Sequence, residues 1–331
     1  MFARHPCRYQ IDMTDIFTLA HLSDVHLAPL PSFPPRHWNV KRALGYLNWL
    51  KKRRAAHLRP TLDALVADMQ RQAPNHIAVT GDLINIGLPN EYVAAAQWLQ
   101  GLGAPDRVTV VPGNHDIYTQ IRNDPGHERW RAYMASDAAG RALLLEPAPA
   151  GGFPFVRQFG RIALIGLNSA VPTRPFYANG RLGPEQRRHL SGLLQRLGDE
   201  GTLRVVLIHH PPLAGQAAPK KALQDAAEHE AILLEHGAEL VLHGHNHVSM
   251  HAVRQWTDAR QLSCDIVTMG VPSASFGVLH QHEHLARYHL FRLPQNAGPI
   301  EMIARGMTEP GGPIVEIERR QIRFFARKNA G

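Results

Sequence analysis

A chain of 331 residues with 44% apolar composition can bury a sizeable core, and no apolar run reaches the roughly 18 residues that a membrane-crossing helix needs. Two cysteines, Cys7 and Cys264, exclude a disulfide framework and a thiolate metal site, and they suit a reducing compartment. The net charge of +8 sits in one place: Arg36 to Pro60 holds eight Lys/Arg and no acidic residue, leaving 28 basic against 28 acidic elsewhere, which excludes the pervasive basic faces of a nucleic-acid-binding protein.

In chain order, the first 15 residues carry Arg4, His5, Arg8 and Asp12 without an apolar core. They read as a flexible extension and not as a signal peptide, so a cytoplasmic location is expected. Phe17 to Leu22 is a predicted strand, and Ser23-Asp24-Val25-His26 is the loop beyond it. The basic insertion over residues 36–60 follows. There Val40, Ala43, Leu44, Leu47 and Leu50 fall at helical spacing beside Trp38, Tyr46 and Trp49, ahead of Lys51-Lys52-Arg53-Arg54. Two readings stay open: a helix packed on the domain with a solvated basic end, or a contact with an anionic membrane surface at the inner face. Since the insertion follows Asp24 and His26 directly, it is expected beside the site, as part of the substrate entrance.

A helix is predicted over Thr61–Gln72, a strand over His76–Thr80, a helix from Asn90 to about Gln100, and a strand over Val108–Val111. Residues 120 to 155 read as mixed. A strand over Arg161–Leu167, a helix over Pro184–Leu197 and strands over Val205–Ile208 and Ala238–Val241 follow. The rest reads as a strand meander over residues 260–325, available to cover a sheet face or to form a contact in a homo-oligomer. The run from His280 to His284 reads as a solvated loop. Strand and helix alternate for most of the length, which implies a single α/β domain from residue 16 to 331: two sheets packed as a sandwich, with helices outside, in four αββα layers.

Every polar cluster comes straight after an apolar strand: Asp24-Val25-His26, Gly81-Asp82, Gly113-Asn114-His115-Asp116, His209-His210-Pro211 and Gly244-His245-Asn246-His247. Loops at the carboxyl edge of an α/β sheet converge on one crevice. Two carboxylates, one amide oxygen and four imidazoles are too many donors for one tetrahedral ion and suit two. No nucleophile elbow or Walker-type glycine loop competes with this reading.

The ordered series Asp-x-His, Gly-Asp, Gly-Asn-His-Asp, His-x-Pro and Gly-His-x-His resembles the calcineurin-like metallophosphoesterase superfamily. Within it, the pattern is similar to bacterial class III cyclic-nucleotide and glycerophosphodiester phosphodiesterases. The resemblance spans Leu19 to about Met250 and implies two divalent or trivalent ions (Mn, Fe, Zn or Co). Asp24, His26 and His247 would hold the first, Asn114, His209 and His245 the second, and Asp82 would bridge them. His115 would meet the phosphoryl or leaving oxygen, Asp116 would orient the His115 ring, and His210 would line the substrate pocket. The implied activity is a phosphodiesterase on a small-molecule phosphoester, with nucleic acid not expected as substrate. A phosphomonoesterase or lipid-linked pyrophosphohydrolase on the same site, and a non-catalytic protein-binding scaffold, are the competing readings.

Overall fold

The computed structural model describes residues 16–119, 124–144, 151–257, 262–296, 298–322 and 327–328; the expected N-terminal extension lies outside these residues. The strands in chain order are β1 (Ile16–Leu22), β2 (His76–Val79), β3 (Val108–Val110), β4 (Phe155–Phe159), β5 (Ile162–Gly166), β6 (Leu203–Leu207) and β7 (Leu240–His243). They continue with β8 (Met250–Thr257), β9 (Leu262–Gly270), β10 (Arg287–Pro294), β11 (Ile300–Met307), β12 (Ile314–Ile322) and β13 (Arg327–Lys328). The helices are α1 (Val40–Asn48), α2 (Arg54–Ala56), α3 (Arg59–Arg71), α4 (Pro89–Leu102), α5 (Ala138–Leu143), α6 (Pro184–Asp199) and α7 (Ala226–His236).

The first sheet runs β12-β11-β10-β1-β2-β3, and the second runs β13-β9-β7-β6-β5-β4 with β8 on β9. Both are mixed: β1, β2 and β3 are parallel, as are β5, β6, β7 and β9, while hairpin partners flank them. Alternation assigns each strand to two cores. Leu164, Val205, Leu207, Leu240 and Leu242 join the cluster between the sheets, whereas Ile165, Val206, Ile208 and Val241 pack against Leu190, Leu194 and Leu197 of α6. Burial on both faces explains why these strands read as unbroken apolar runs.

The fold is therefore two sheets face to face with helices outside. The C-terminal strands divide between the sheets: β10, β11 and β12 make an antiparallel meander beside β1, while β9 lies parallel to β7 in the other sheet. β4, β8, β13 and α7 had no sequence prediction. β4 forms a hairpin with β5 and β8 one with β9, and β8 alternates half-buried and exposed residues, so polar side chains interrupt its apolar signal. α7 buries only Ala226, His229 and Leu233 and is weakly amphipathic.

Candidate metal centre

The centre lies where the carboxyl ends of β1, β2 and β3 meet those of β6 and β7. Asp24 and His26 follow β1, Asp82 follows β2, Asn114 follows β3, His209 follows β6, and His245 and His247 follow β7. The turns are sharp enough that Asp24, His26, Asp82, His245 and His247 all adopt φ between 41° and 71°, the left-handed region. Asp and His tolerate it better than most side chains do, and such residues gather at functional sites. Two glycines permit the approach of the loops. A Cβ on Gly113 would collide with the Asp82 carboxylate and amide, and one on Gly244 with the Ser23 hydroxyl and the Asp24 carboxylate.

The seven side chains expected as ligands form one connected group. Asp24 Oδ1 lies 3.2 Å from His247 Nε2, and Asp82 Oδ2 lies 3.8 Å from His26 Nε2 and 3.5 Å from His209 Nε2. His209 Nε2 is 3.1 Å from Asn114 Oδ1 and 3.2 Å from His245 Nδ1. The His245 amide donates to Asp24 Oδ2 at 2.9 Å, tying the two sheets together. Asp24, His26 and His247 converge closely enough to share a cation, and so do Asp24, Asp82 and His209.

The donor set fits two cations. His26 Nε2 and His245 Nε2 are buried without a hydrogen-bond partner, which is costly for polar atoms unless something else satisfies them, and Asp24 Oδ1 meets only His247 Nε2. The opposite ring nitrogens are anchored: His26 Nδ1–H donates to the Ile84 carbonyl (3.1 Å) and His209 Nδ1–H to the Thr80 carbonyl (2.7 Å), which presents Nε2 to the centre. Charge follows the same pairing. Burial alone would lower the pKa of His247, but the neighbouring Asp24 and Glu283 carboxylates outweigh it and raise it to about 9. Burial opposes ionisation of Asp24, yet the His247 charge beside it pulls its carboxyl below the usual range. In the metal-free chain, the His247 proton stands where a cation would.

Three expected contacts differ. The Asp116 carboxylate does not reach the His115 ring; it accepts from the amides of Asp82 (2.9 Å), Leu83 (2.9 Å) and Gly113 (2.9 Å), locking two strand-end loops together. Burial, then the Asp82 charge, raises its pKa to about 7. The His115 ring is held instead by the Asn85 carbonyl, which accepts from Nδ1–H and leaves Nε2 as the free ring nitrogen. His210 is fully buried and both its nitrogens are engaged, with Ser169 Oγ at 2.8 Å and the Ala178 carbonyl at 3.1 Å, so no ring nitrogen remains for a substrate. Its ring packs on His245, with centroids 4.5 Å apart, and thereby positions that residue.

Glu283 and His57 escaped the sequence reading, and Arg53 was expected only as one of the cations of the basic insertion at the substrate entrance. Glu283, from the loop read as solvated, turns inward to His247 Nδ1 at 3.2 Å. His57 is buried edge-on against His26, with centroids 4.6 Å apart, and its Nδ1 meets Ser275 Oγ at 2.8 Å. Arg53 joins His57, Asp82, Asn114, His115 and His247 around a cavity of ≈ 570 Å³. No single-sequence signal marks these, because each contact joins distant parts of the chain.

A family model described as calcineurin-like phosphoesterase matches residues 17–249, more than half of the chain. A probable cyclic nucleotide phosphodiesterase from Synechococcus sp. is 28% identical over 191 residues, covering 57% of this chain and 64% of that protein. A glycerophosphodiester phosphodiesterase from Enterobacter lignolyticus is 29% identical over 204 residues, covering 57% and 62%. The matches thus span less than two thirds of either relative. A crystal structure of a dimetal phosphatase from Danio rerio superposes with a TM-score of 0.58 at 14% identity, covering 94% of this chain and 99% of that one, which shows a shared fold.

Proposed function

This chain belongs to the calcineurin-like phosphoesterase family, and from that premise we propose that it is a dinuclear metal-dependent phosphoester hydrolase acting on diesters. The observation that carries the reading is the connected group of seven donors with two ligand ring nitrogens, His26 Nε2 and His245 Nε2, left unpartnered. Asp24, His26 and His247 would hold one ion and Asn114, His209 and His245 the other, with Asp82 available to both. Mixed imidazole, carboxylate and amide ligation suits Mn, Fe, Zn or Co. When bound, such ions supply Lewis acidity and a nucleophile at neutral pH, so no protein nucleophile is required.

The chain's own residues do the rest. The Asn85 carbonyl fixes the His115 ring so that Nε2 faces the phosphoryl group or the leaving oxygen. Burial, and then the Arg53 charge, keep the His115 pKa well below the usual imidazole value. An arriving phosphate offsets that charge and lets the ring carry a proton to the leaving alkoxide, giving a phosphomonoester and an alcohol. Asp116 acts by positioning, through the loop amides it binds. Metal-loaded protein should hydrolyse bis(p-nitrophenyl) phosphate faster than p-nitrophenyl phosphate. The reverse preference would favour the monoesterase, and inactivity on both would revive the scaffold.

The basic insertion supports a second element of the proposal. Lys41 and Arg42 turn inward to anchor it, but Trp38 (63% exposed), Val40 (72%), Leu47 and Leu50 face outward with Lys51, Lys52 and Arg54. Exposed apolar anchors flanked by lysine and arginine match an anionic bilayer surface. An amphiphilic phosphoester reached from that surface is the substrate this face favours. No helix among the described residues is long and apolar enough to cross a membrane, so such contact is peripheral. Sedimentation with vesicles containing phosphatidylserine should recover the wild-type chain and fail to recover Lys51→Ala/Arg54→Ala; equal recovery of both would remove the idea.

A further inference from the structure

The α1–α2 insertion roofs the cavity, and most of its cations have evident work. Lys41 Nζ donates to the Tyr118 carbonyl (2.7 Å) and lies near Thr173 Oγ1 (2.9 Å); Arg42 donates to the carbonyls of Gly87 (2.6 Å) and His37 (3.1 Å). Lys51, Lys52 and Arg54 stand in solvent. Arg53 is different: it is half-buried, with its guanidinium on the wall of the cavity that holds the metal-ligand cluster.

Its placement is built in. Trp49 to Arg53 forms a π-helical turn, in which the Arg54 amide bonds to the Trp49 carbonyl five residues back. Single π-turns inside α-helices are rare and recur at functional sites, because the added residue shifts side chains around the axis. Here Arg53 is the half-buried member of a four-residue basic run on the pocket wall, with Lys52 exposed at the rim. The helix end is then fixed: the His57 amide donates to the Arg53 carbonyl (2.8 Å), Leu58 to the Ser275 carbonyl (2.8 Å), and Gly277 to the Ala56 carbonyl (2.9 Å).

Among the described residues the guanidinium has no carboxylate at hydrogen-bonding distance; the Asp82 and Glu283 carboxylates feel its charge only from farther off. Its Nη1 lies 3.4 Å from His115 Nδ1, but that nitrogen already gives its hydrogen to the Asn85 carbonyl, so two donors face each other. A cation held for stability would have partners, as Lys41 and Arg42 do. A cation held for a visiting anion would have none until the anion arrived.

We propose that Arg53 is a substrate-binding residue, its guanidinium taking a non-bridging oxygen of the phosphoryl group that His115 also meets. This rests on the hydrolase reading for the identity of the anion. Planar guanidinium donors suit phosphate oxygens, and charge-assisted bonds of this kind are stronger than neutral ones. The inference also gives the insertion a function at its inner face that is independent of whatever its outer face meets.

The test compares wild type, Arg53→Ala, Arg53→Lys and the charge-matched surface control Arg59→Ala, all metal-loaded. Orthophosphate binding is measured by calorimetry, metal content by elemental analysis, and hydrolysis of bis(p-nitrophenyl) phosphate by steady-state kinetics. Arg53→Ala should keep its metals, bind phosphate about 10- to 100-fold more weakly and lose a similar factor in kcat/KM. Added guanidinium should restore part of the loss. Arg53→Lys should fall between it and wild type, and Arg59→Ala should match wild type. Unchanged phosphate affinity in Arg53→Ala overturns the inference, as does metal loss accounting for the whole defect. Phosphate binding needs no turnover, so an inactive wild type would sink the hydrolase reading while Arg53 is still judged by calorimetry.

Discussion

The two sheets bring different chemistry to their common edge. The ends of β1, β2 and β3 offer Asp24, Asp82, Asn114 and a single ring, His26, whereas the ends of β6 and β7 offer only imidazoles: His209, His245 and His247. The first side is stitched by a carboxylate, since Asp116 gathers the amides of Asp82, Leu83 and Gly113. Most of the second is held by neutral acceptors, as with the Thr80 carbonyl on His209 and Ser169 and Ala178 on His210, with the Glu283 carboxylate on His247 as the exception. Removing Asp24 or Asp82 from the first side therefore costs charge as well as a donor, whereas removing His209 or His245 from the second costs a donor alone.

The largest effect should separate those costs. Asp82→Ala is expected to lose both ions by elemental analysis and to lower turnover by more than about 10³-fold, while His245→Ala should retain the ion on the Asp24 side. Equal metal loss in the two variants would erase the distinction between the sheets. His115→Ala comes next: under the proposed role, full metal content with kcat lower by about 10²- to 10³-fold. A fall in metal content there would make His115 a ligand.

A smaller effect should come from Glu283→Gln, which removes the carboxylate that orients His247; metal affinity should fall by about 10- to 100-fold. Unchanged affinity in a chelator competition would leave Glu283 a bystander. The smallest concerns protons. Because the His247 pKa is raised to about 9, the ring is charged at neutral pH in the metal-free chain and must lose that proton to bind a cation. Uptake of the first ion should release about one proton at pH 7 and almost none well above pH 9, and affinity should weaken as pH falls below 9. Calorimetry in buffers of different ionisation enthalpy checks this; proton release that does not vary with pH would contradict it.

The strands and the polar blocks were legible because each block follows a strand buried on both faces, whose unbroken apolar run announces where the loop begins. Asp24, Asp82, Asn114 and His245 could thus be placed at strand ends without knowing how the strands pair. The holders of the site were not legible. Asn85 acts through its backbone carbonyl, which no side chain advertises, and Glu283 reaches His247 from a loop whose neighbouring histidines are exposed. Charge counting found the basic insertion but could not divide it. Which cations turn in depends on acceptors supplied by Gly87 and Tyr118, far along the chain. Asp116 was expected to serve its sequence neighbour, and geometry gave it to the amides of a different loop.

The left-handed twist at Asp24, His26, Asp82, His245 and His247 has a bearing on protein engineering. Each such position costs on the order of 1 kcal/mol, and any search for thermostabilising replacements would nominate these five first, with glycine as the remedy. The relaxed variants are expected to outlast the parent on heating in chelator while binding no ion at all. Melting temperature measured without metal would then reward the loss of the very feature that the fold is strained to keep.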